Sequence, residues 1–346
     1  PHCGSITEIE GKDLELDDKA DLKPELSQTE TLSPAPLAMS CQTCGAHSEM
    51  EPQTFADSCR YCGSVMIAPL AGLRSYEPQG MLPFGVNQQQ AQGRIKKWLK
   101  SHWFAPNALA KLAKANERLK GLYVPFWTFD ADTQTSYRGQ RGTQHRRTRT
   151  VTVMVDGKPK RQTRVETYMT WSNVSGCVAR YFGDVLVRAD GGLEELQDRA
   201  FSNWDLAALE SYKPDYLAGY QARLYGRPLQ AGWHDAEAIM ERQIRRDIKR
   251  DIGGDDQRIN AMNVESDEEA FGLVLLPIWL SKYDYRGKTY TVAVNGRTGE
   301  VRGKRPLAYW KIGLAALAAL ALIAGGIALF ASLEGANPGP AYLSFD

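Results

Sequence analysis

The chain has 346 residues, 43% of them hydrophobic and 24% charged, which excludes a disordered polymer and supplies apolar material for a sizeable core in two or three domains. Its 42 Lys and Arg against 41 Asp and Glu leave a net charge of +1, so bulk charge demands neither a nucleic acid nor an acidic partner. The charge is uneven along the chain, and that unevenness carries more information than the sum.

Residues 1–4, Pro-His-Cys-Gly, read as the remnant of an upstream C-P-x-C-G knuckle. Residues 5–40 are polar and mostly acidic, without aromatics, and close on Pro34 and Pro36. So little apolar surface does not offset ordering entropy, so this stretch is expected to be a flexible linker. A zinc ribbon over 41–70 and an α/β body over 80–306 follow.

In the ribbon, Cys41-x-x-Cys44 and Cys59-x-x-Cys62 are separated by 14 residues. Each pair fits a short turn that aims two sulfurs at one point, and the interval suits a hairpin that brings the pairs together. Paired cysteines of this spacing favour metal over disulfide in a reducing compartment. Four thiolates complete a tetrahedral Zn²⁺ shell with no position left for water, so Cys41, Cys44, Cys59 and Cys62 are predicted to hold a structural ion. Gly45 and Gly63 each follow a second cysteine, where the backbone turns sharply. His47 is read as a surface residue and Cys177 as a small buried residue of a strand.

Helical periodicity runs over 88–118, with Ile95, Trp98, Leu99 and Trp103 on one stripe and Leu109, Leu112 and Leu119 on a second beyond Pro106. From Gly121 the period changes to that of strands, predicted at 122–137, 148–155, 162–171 and 174–187, with a hairpin turn at Asp156-Gly157. Helices are predicted at 192–209 and 233–252; in the latter Met240, Ile244, Ile248 and Ile252 repeat every four residues until Gly253-Gly254 ends it. Strands resume at 271–283, 288–295 and 299–303, the last two joined at Asn295-Gly296. Val124-Pro125-Phe126-Trp127 is echoed by Leu276-Pro277-Ile278-Trp279, and Tyr137-Arg138-Gly139 by Tyr285-Arg286-Gly287, which suggests two related units packed on each other. The fold class expected is α+β: a rubredoxin-like zinc ribbon, a mixed α/β body with this internal repeat, and a single C-terminal transmembrane helix.

That helix is read from Ile312 to Leu333, uncharged and about 33 Å long at 1.5 Å per residue, enough for a hydrocarbon layer of roughly 30 Å. Arg297, Arg302, Lys304, Arg305 and Lys311 precede it and no Lys or Arg follows. The positive-inside rule then implies a single-pass inner-membrane protein with a cytoplasmic N-terminal portion and a short external tail at 334–346.

Catalytic patterns are absent. Gly287-Lys288-Thr289 would need a glycine at position 282 to be a phosphate loop, and that position is Lys282. The five histidines are scattered, and an enzyme is not expected. One basic run stands out: Arg138, Arg141, Arg146, Arg147, Arg149, Lys158, Lys160, Arg161 and Arg164, with Asp156 the single acid between its ends. It reads as a solvated edge that blunts sheet aggregation, a contact for anionic lipid of the bilayer, or a phosphate-binding surface for nucleic acid.

The cysteine pairs, Leu82-Pro83-Phe84, Phe104-Ala105-Pro106-Asn107, the run from Lys120 to Asp130 and Tyr216-Leu217-Ala218-Gly219-Tyr220 resemble a bacterial family of membrane-anchored TFIIB-type zinc-ribbon proteins. Its members are often labelled primosomal protein N′ (replication factor Y) superfamily II helicase. The motor motifs of a helicase are missing here. The resemblance implies a non-catalytic adaptor or scaffold in envelope maintenance, with PspA-like or SPFH or virion-core-like protein partners.

Overall fold

A computed structural model describes residues 6–9, 19–26, 38–49, 54–68, 76–101, 119–155, 158–191, 201, 204–304, 306 and 308–335. The knuckle remnant at 1–4, the helical stripe beyond residue 101, most of the helix predicted at 192–209, the Asp156-Gly157 turn and the tail beyond residue 335 lie outside these residues.

In chain order the elements are β1 (Ile6–Ile9), β2 (Ala20–Asp21), α1 (Leu22–Leu26), β3 (Ala38–Ser40), β4 (His47–Glu49), β5 (Thr54–Ser58), β6 (Val65–Ile67), β7 (Gly80–Met81) and α2 (Gln88–Lys100). They continue with β8 (Lys120–Val155), β9 (Lys158–Arg188), β10 (Glu210–Ser211), β11 (Gln221–Arg223), α3 (Leu229–Ile252), β12 (Asp256–Tyr285), β13 (Lys288–Asn295), β14 (Val301–Gly303) and α4 (Tyr309–Gly335). Strand makes up 51% and helix 27%, so the expected mixed α/β body is corrected to a body dominated by one sheet. Its spine is the antiparallel series β9–β8–β12–β13–β14. The separate strands read at 122–137 and 148–155 are one strand, as are those at 162–171 and 174–187. The polar residues between them pair just as the apolar ones do, because backbone groups make the ladder.

The two echoed tetrapeptides are ladder neighbours: Val124 pairs with Leu276, and Pro277 with Tyr123. Side chains from this central crossing build one core, with Leu122, Val124, Phe126, Val274, Leu276 and Ile278 buried together.

α3 covers the opposite half of the sheet. Met240, Ile244, Ile248 and Ile252 are all buried against Phe129, Tyr137, Val178 and Val185. Each such side chain contributes about 1.5–3 kcal/mol when fully buried. Asp247 on the same helix is 1% exposed at its side chain, and Arg180 of β9 reaches it with Nε at 2.6 Å from Oδ2. α2 packs Ala91, Ile95 and Leu99 against Trp279, Val292 and Val294, and Asn87 caps it, its Oδ1 accepting from the Gln90 N–H at 2.9 Å.

Part of the stretch read as a flexible acidic linker belongs to this body. β2 pairs with Ala270 and Phe271 of β12, and Leu22 is fully buried. Lys19 inserts its ammonium between Asp130 (2.6 Å) and Asp184 (2.8 Å), all three side chains being 13% exposed or less. Composition averages over 5–40 conceal these two buried anchors.

The transmembrane expectation is overturned. α4 forms where the apolar run was read, but no helix among the described residues is long and apolar enough to cross a membrane. The single-pass inner-membrane placement and the orientation drawn from flanking charge fall with it.

Candidate functional site

The cysteine pairs occupy the tips of two hairpins. β3 and β4 flank Cys41 and Cys44, and β5 and β6 flank Cys59 and Cys62. Both tips fold alike. Gly45 donates its N–H to the Cys41 carbonyl at 2.8 Å, and Gly63 donates to that of Cys59 at 2.9 Å. Both glycines have positive φ, 73° and 75°, a conformation that a Cβ disfavours. The second hairpin is not a free module: Ala56 of β5 pairs with Ala222 of β11, which ties it to the main sheet.

The four sulfurs lie within 4.8 Å of one another. Cys41 and Cys62 are 3.6 Å apart, and Cys44 and Cys59 3.7 Å. Two thiolates on a tetrahedral ion at about 2.3 Å stand about 3.8 Å apart, so the spacing fits a four-sulfur metal site. The cluster can hold a metal ion, and it uses all four residues that the spacing singled out.

Ser64 is a member that sequence reasoning missed. Its hydroxyl lies 3.1 Å from Cys41 Sγ and 3.0 Å from Cys62 Sγ. The signal was available as a hydroxyl residue directly after Cys62-Gly63. Hydrogen bonding from Ser64, with the Cys44 backbone N–H next, lowers the Cys41 thiol to about 6, and Ser64 lowers Cys62 as well. At Cys44 the Ala46 backbone N–H favours the thiolate, but the neighbouring Cys62 sulfur, burial, and the Cys41 and Cys59 sulfurs outweigh it and push the group up to about 12. Four anions this close resist ionising together, and a bound cation reverses that logic. His47 stays out of the cluster. It is exposed, and its Nδ1 is 2.7 Å from Ser40 Oγ.

The basic run occupies the far end of the β8–β9 hairpin. β12 accompanies β8 only as far as Gly142, paired with Asp256. Beyond that, among the described residues, β8 and β9 pair only with each other, from Thr143–Thr170 to Val155–Lys158. This two-stranded ribbon is about 40 Å long at about 3.3 Å per residue. The strand period puts Arg147 and Arg149 of β8 on one face with Arg164 of β9, directly opposite Arg149. Arg146 and Arg161 lie on the other face, alongside Val165, Met169 and Met154, the last 69% exposed.

The nine basic candidates therefore do not form one patch. Arg141 is drawn back into the body, where its Nε donates to the Ile252 carbonyl at the end of α3 at 2.5 Å. Arg138 is exposed on the sheet beside β12. Lys158 and Lys160 take backbone register positions opposite Val155 and Val153. Among the described residues, the side chains of Arg146, Arg147, Arg149, Arg161 and Arg164 have no ion-pair or hydrogen-bond partner. Cys177 is buried in β9, as expected of it, and is disulfide-bonded rather than standing alone.

The comparison with curated proteins gives one relative. The chain is similar to uncharacterized protein YdjG of Bacillus subtilis (strain 168), 26% identical over 241 residues, which is 68% of this chain and 65% of that protein. The chain thus matches less than two thirds of that relative's length. No protein-family model matches the chain, and no solved structure matches it. The identity is too low to carry function across.

Proposed function

We propose that this protein is a non-catalytic adaptor that binds nucleic acid through the projecting ribbon, with its four cysteines holding a structural Zn²⁺. The observation that carries the reading is Arg149 directly opposite Arg164, with Arg147 on the same face opposite Glu166, and no ion pair formed by any of the three arginines among the described residues. Like charges set opposite each other across a ladder are unfavourable, and a phosphate backbone running along that face would relieve them. A two-stranded ribbon is also narrow enough to enter the major groove of a duplex. Zinc is favoured at the cluster because four thiolates and no oxygen donor suit a tetrahedral ion of that kind.

Titration of the intact protein against a 30-base-pair DNA and the matching RNA duplex, at several salt concentrations, tests this. The logarithm of affinity should fall linearly with the logarithm of salt concentration. Replacing Arg147, Arg149 and Arg164 with Ala should reduce that slope by roughly 0.9 for each DNA phosphate that is no longer neutralised. No binding at low salt, or a slope that the triple variant leaves unchanged, removes the proposal.

A second reading takes the ribbon to a protein partner, of the PspA-like or SPFH or virion-core-like kinds that the family resemblance implies. It is favoured by the exposed apolar strip of Met154, Val165 and Met169 on the face opposite Arg149. Co-elution of the purified pair, abolished by Met154→Ser with Val165→Ser, tests that version; a pair that runs separately rejects it.

A further inference from the structure

A second cationic feature lies far along the chain from the ribbon. Between α2 and the turn that joins β13 to β14 is an open cleft of about 540 Å³, lined by Gln90, Arg94, Lys97, Arg297 and Thr298. Ligand pockets for small molecules have volumes of about this order.

The frame around it is rigid. Asn295 is fully buried, and its Oδ1 accepts the N–H groups of Arg297 (2.8 Å) and Thr298 (2.9 Å), which fixes the turn. The Val86 N–H donates to the Gly296 carbonyl at 2.8 Å, and the Val86 carbonyl accepts from Trp279 Nε1 at 2.7 Å, which anchors the segment ahead of α2. The Arg94 side chain lies against Gly299, where a methyl group would collide with its guanidinium.

Three cations thus converge on one cleft. One of them is already countered: Arg297 Nε donates to Asp205 Oδ2 at 3.0 Å, while Glu300 is held by Arg302 Nε at 2.6 Å. The side chains of Arg94 and Lys97 have no ion-pair or hydrogen-bond partner among the described residues.

We propose that this cleft binds a phosphate-bearing small molecule. The unpaired fork of Arg94 suits paired hydrogen bonds to phosphate oxygens, which a lone ammonium does not offer, and Arg297, its Nε held by Asp205, keeps its terminal amino groups for a further bond. Lys97 adds charge, and the Thr298 hydroxyl and Gln90 amide offer neutral hydrogen bonds at the rim. The site is independent of the ribbon and of what the ribbon binds.

Isothermal titration of the intact protein with inorganic pyrophosphate, in buffered chloride, tests the proposal. Saturable one-to-one binding is expected. Arg94→Gln with Lys97→Gln should weaken it by roughly 10–100-fold. Both side chains are exposed, so the melting temperature of this variant should match that of the parent. Thr298→Val should cost a few-fold, while Arg147→Gln with Arg149→Gln on the ribbon should leave pyrophosphate binding unchanged. Absence of saturable binding, equal binding by the Arg94/Lys97 variant, loss of binding in the ribbon variant, or sulfate bound as tightly as pyrophosphate would each overturn the assignment.

Discussion

The near and far halves of the β8–β9 hairpin are the same two strands in different surroundings. Over 126–142, β8 lies between β9 and β12 under the cover of α3, and Phe129, Ala131, Thr133, Thr135 and Tyr137 are buried on alternate positions. Over 143–155 the pairing with β9 continues without a shift, yet nearly every described side chain is exposed. The difference is that α3 stops at Ile252 and β12 leaves at Asp256. A strand holds its shape through backbone hydrogen bonds, while its burial depends on its neighbours. The near half is therefore where stability resides, and the far half is where residues are available for recognition.

The metal cluster offers the largest effect by which this division can be broken. With the proposed Zn²⁺ at the cluster, Cys59→Ser or a chelator should release that ion and unfold the hairpin tips, because a structural zinc would contribute on the order of 10 kcal/mol of local folding. Metal content by mass spectrometry should fall from one ion per chain to none. Protease sensitivity should appear around 41–64 while the β8–β9–β12 core stays resistant. Loss of the core as well would mean that the ribbon supports the whole sheet.

The next effect separates the two halves of the hairpin directly. Ile248→Ala, under the near half, should destabilise the protein by about 2–5 kcal/mol in denaturant titration. Shortening the far half by deleting 146–165 and closing with Asn-Gly should change stability by less than about 0.5 kcal/mol while abolishing nucleic-acid binding. A large drop in stability from the deletion would refute the division.

A smaller effect should appear at alkaline pH. Tyr137 lies on the covered face and donates to Asp251 Oδ2 at 2.5 Å. Burial first, then that carboxylate, raise its pKa above the usual 10.0. A raised pKa gives stability that is fully present below pH 10 and lost as pH rises toward the folded-state value. Unfolding free energy should decline above pH 10, and Tyr137→Phe should reduce the slope of that decline.

The smallest effect is the reversal of one charge on the far half. Arg149→Glu should stabilise the ribbon by about 0.2–1 kcal/mol by turning a like-charged pair with Arg164 into an opposite-charged one. Hydrogen exchange of the ribbon amides should slow, while affinity for a duplex drops. Slower exchange together with unchanged affinity would separate the charge pair from recognition.

Local patterns in the chain carried much of this. Cys41, Cys44, Cys59 and Cys62 were legible because ligand spacing and the glycine after each pair are local constraints. α3 was legible because Met240, Ile244, Ile248 and Ile252 keep helical period over a long stretch. The polar strand 256–270 was missed. Its side chains are mostly exposed and give no hydrophobic signal, and what holds it is the ladder with β8. The cleft beside α2 was missed because Arg94 and Lys97 are far from Arg297 along the chain. The apolar run at 312–333 was legible as a helix, but the span drawn from it was not upheld.

By itself the chain determined the four-cysteine cluster that can hold a metal ion, the helical face of α3 and the turn at Asn295-Gly296, since each follows from contacts within a few positions. Tertiary structure alone decided which half of a 36-residue strand is covered, that Arg141 is drawn into the body while Arg149 faces Arg164, and that Lys19 is buried between two aspartates. Those outcomes depend on where distant segments come to rest, and burial and charge pairing arise from that proximity.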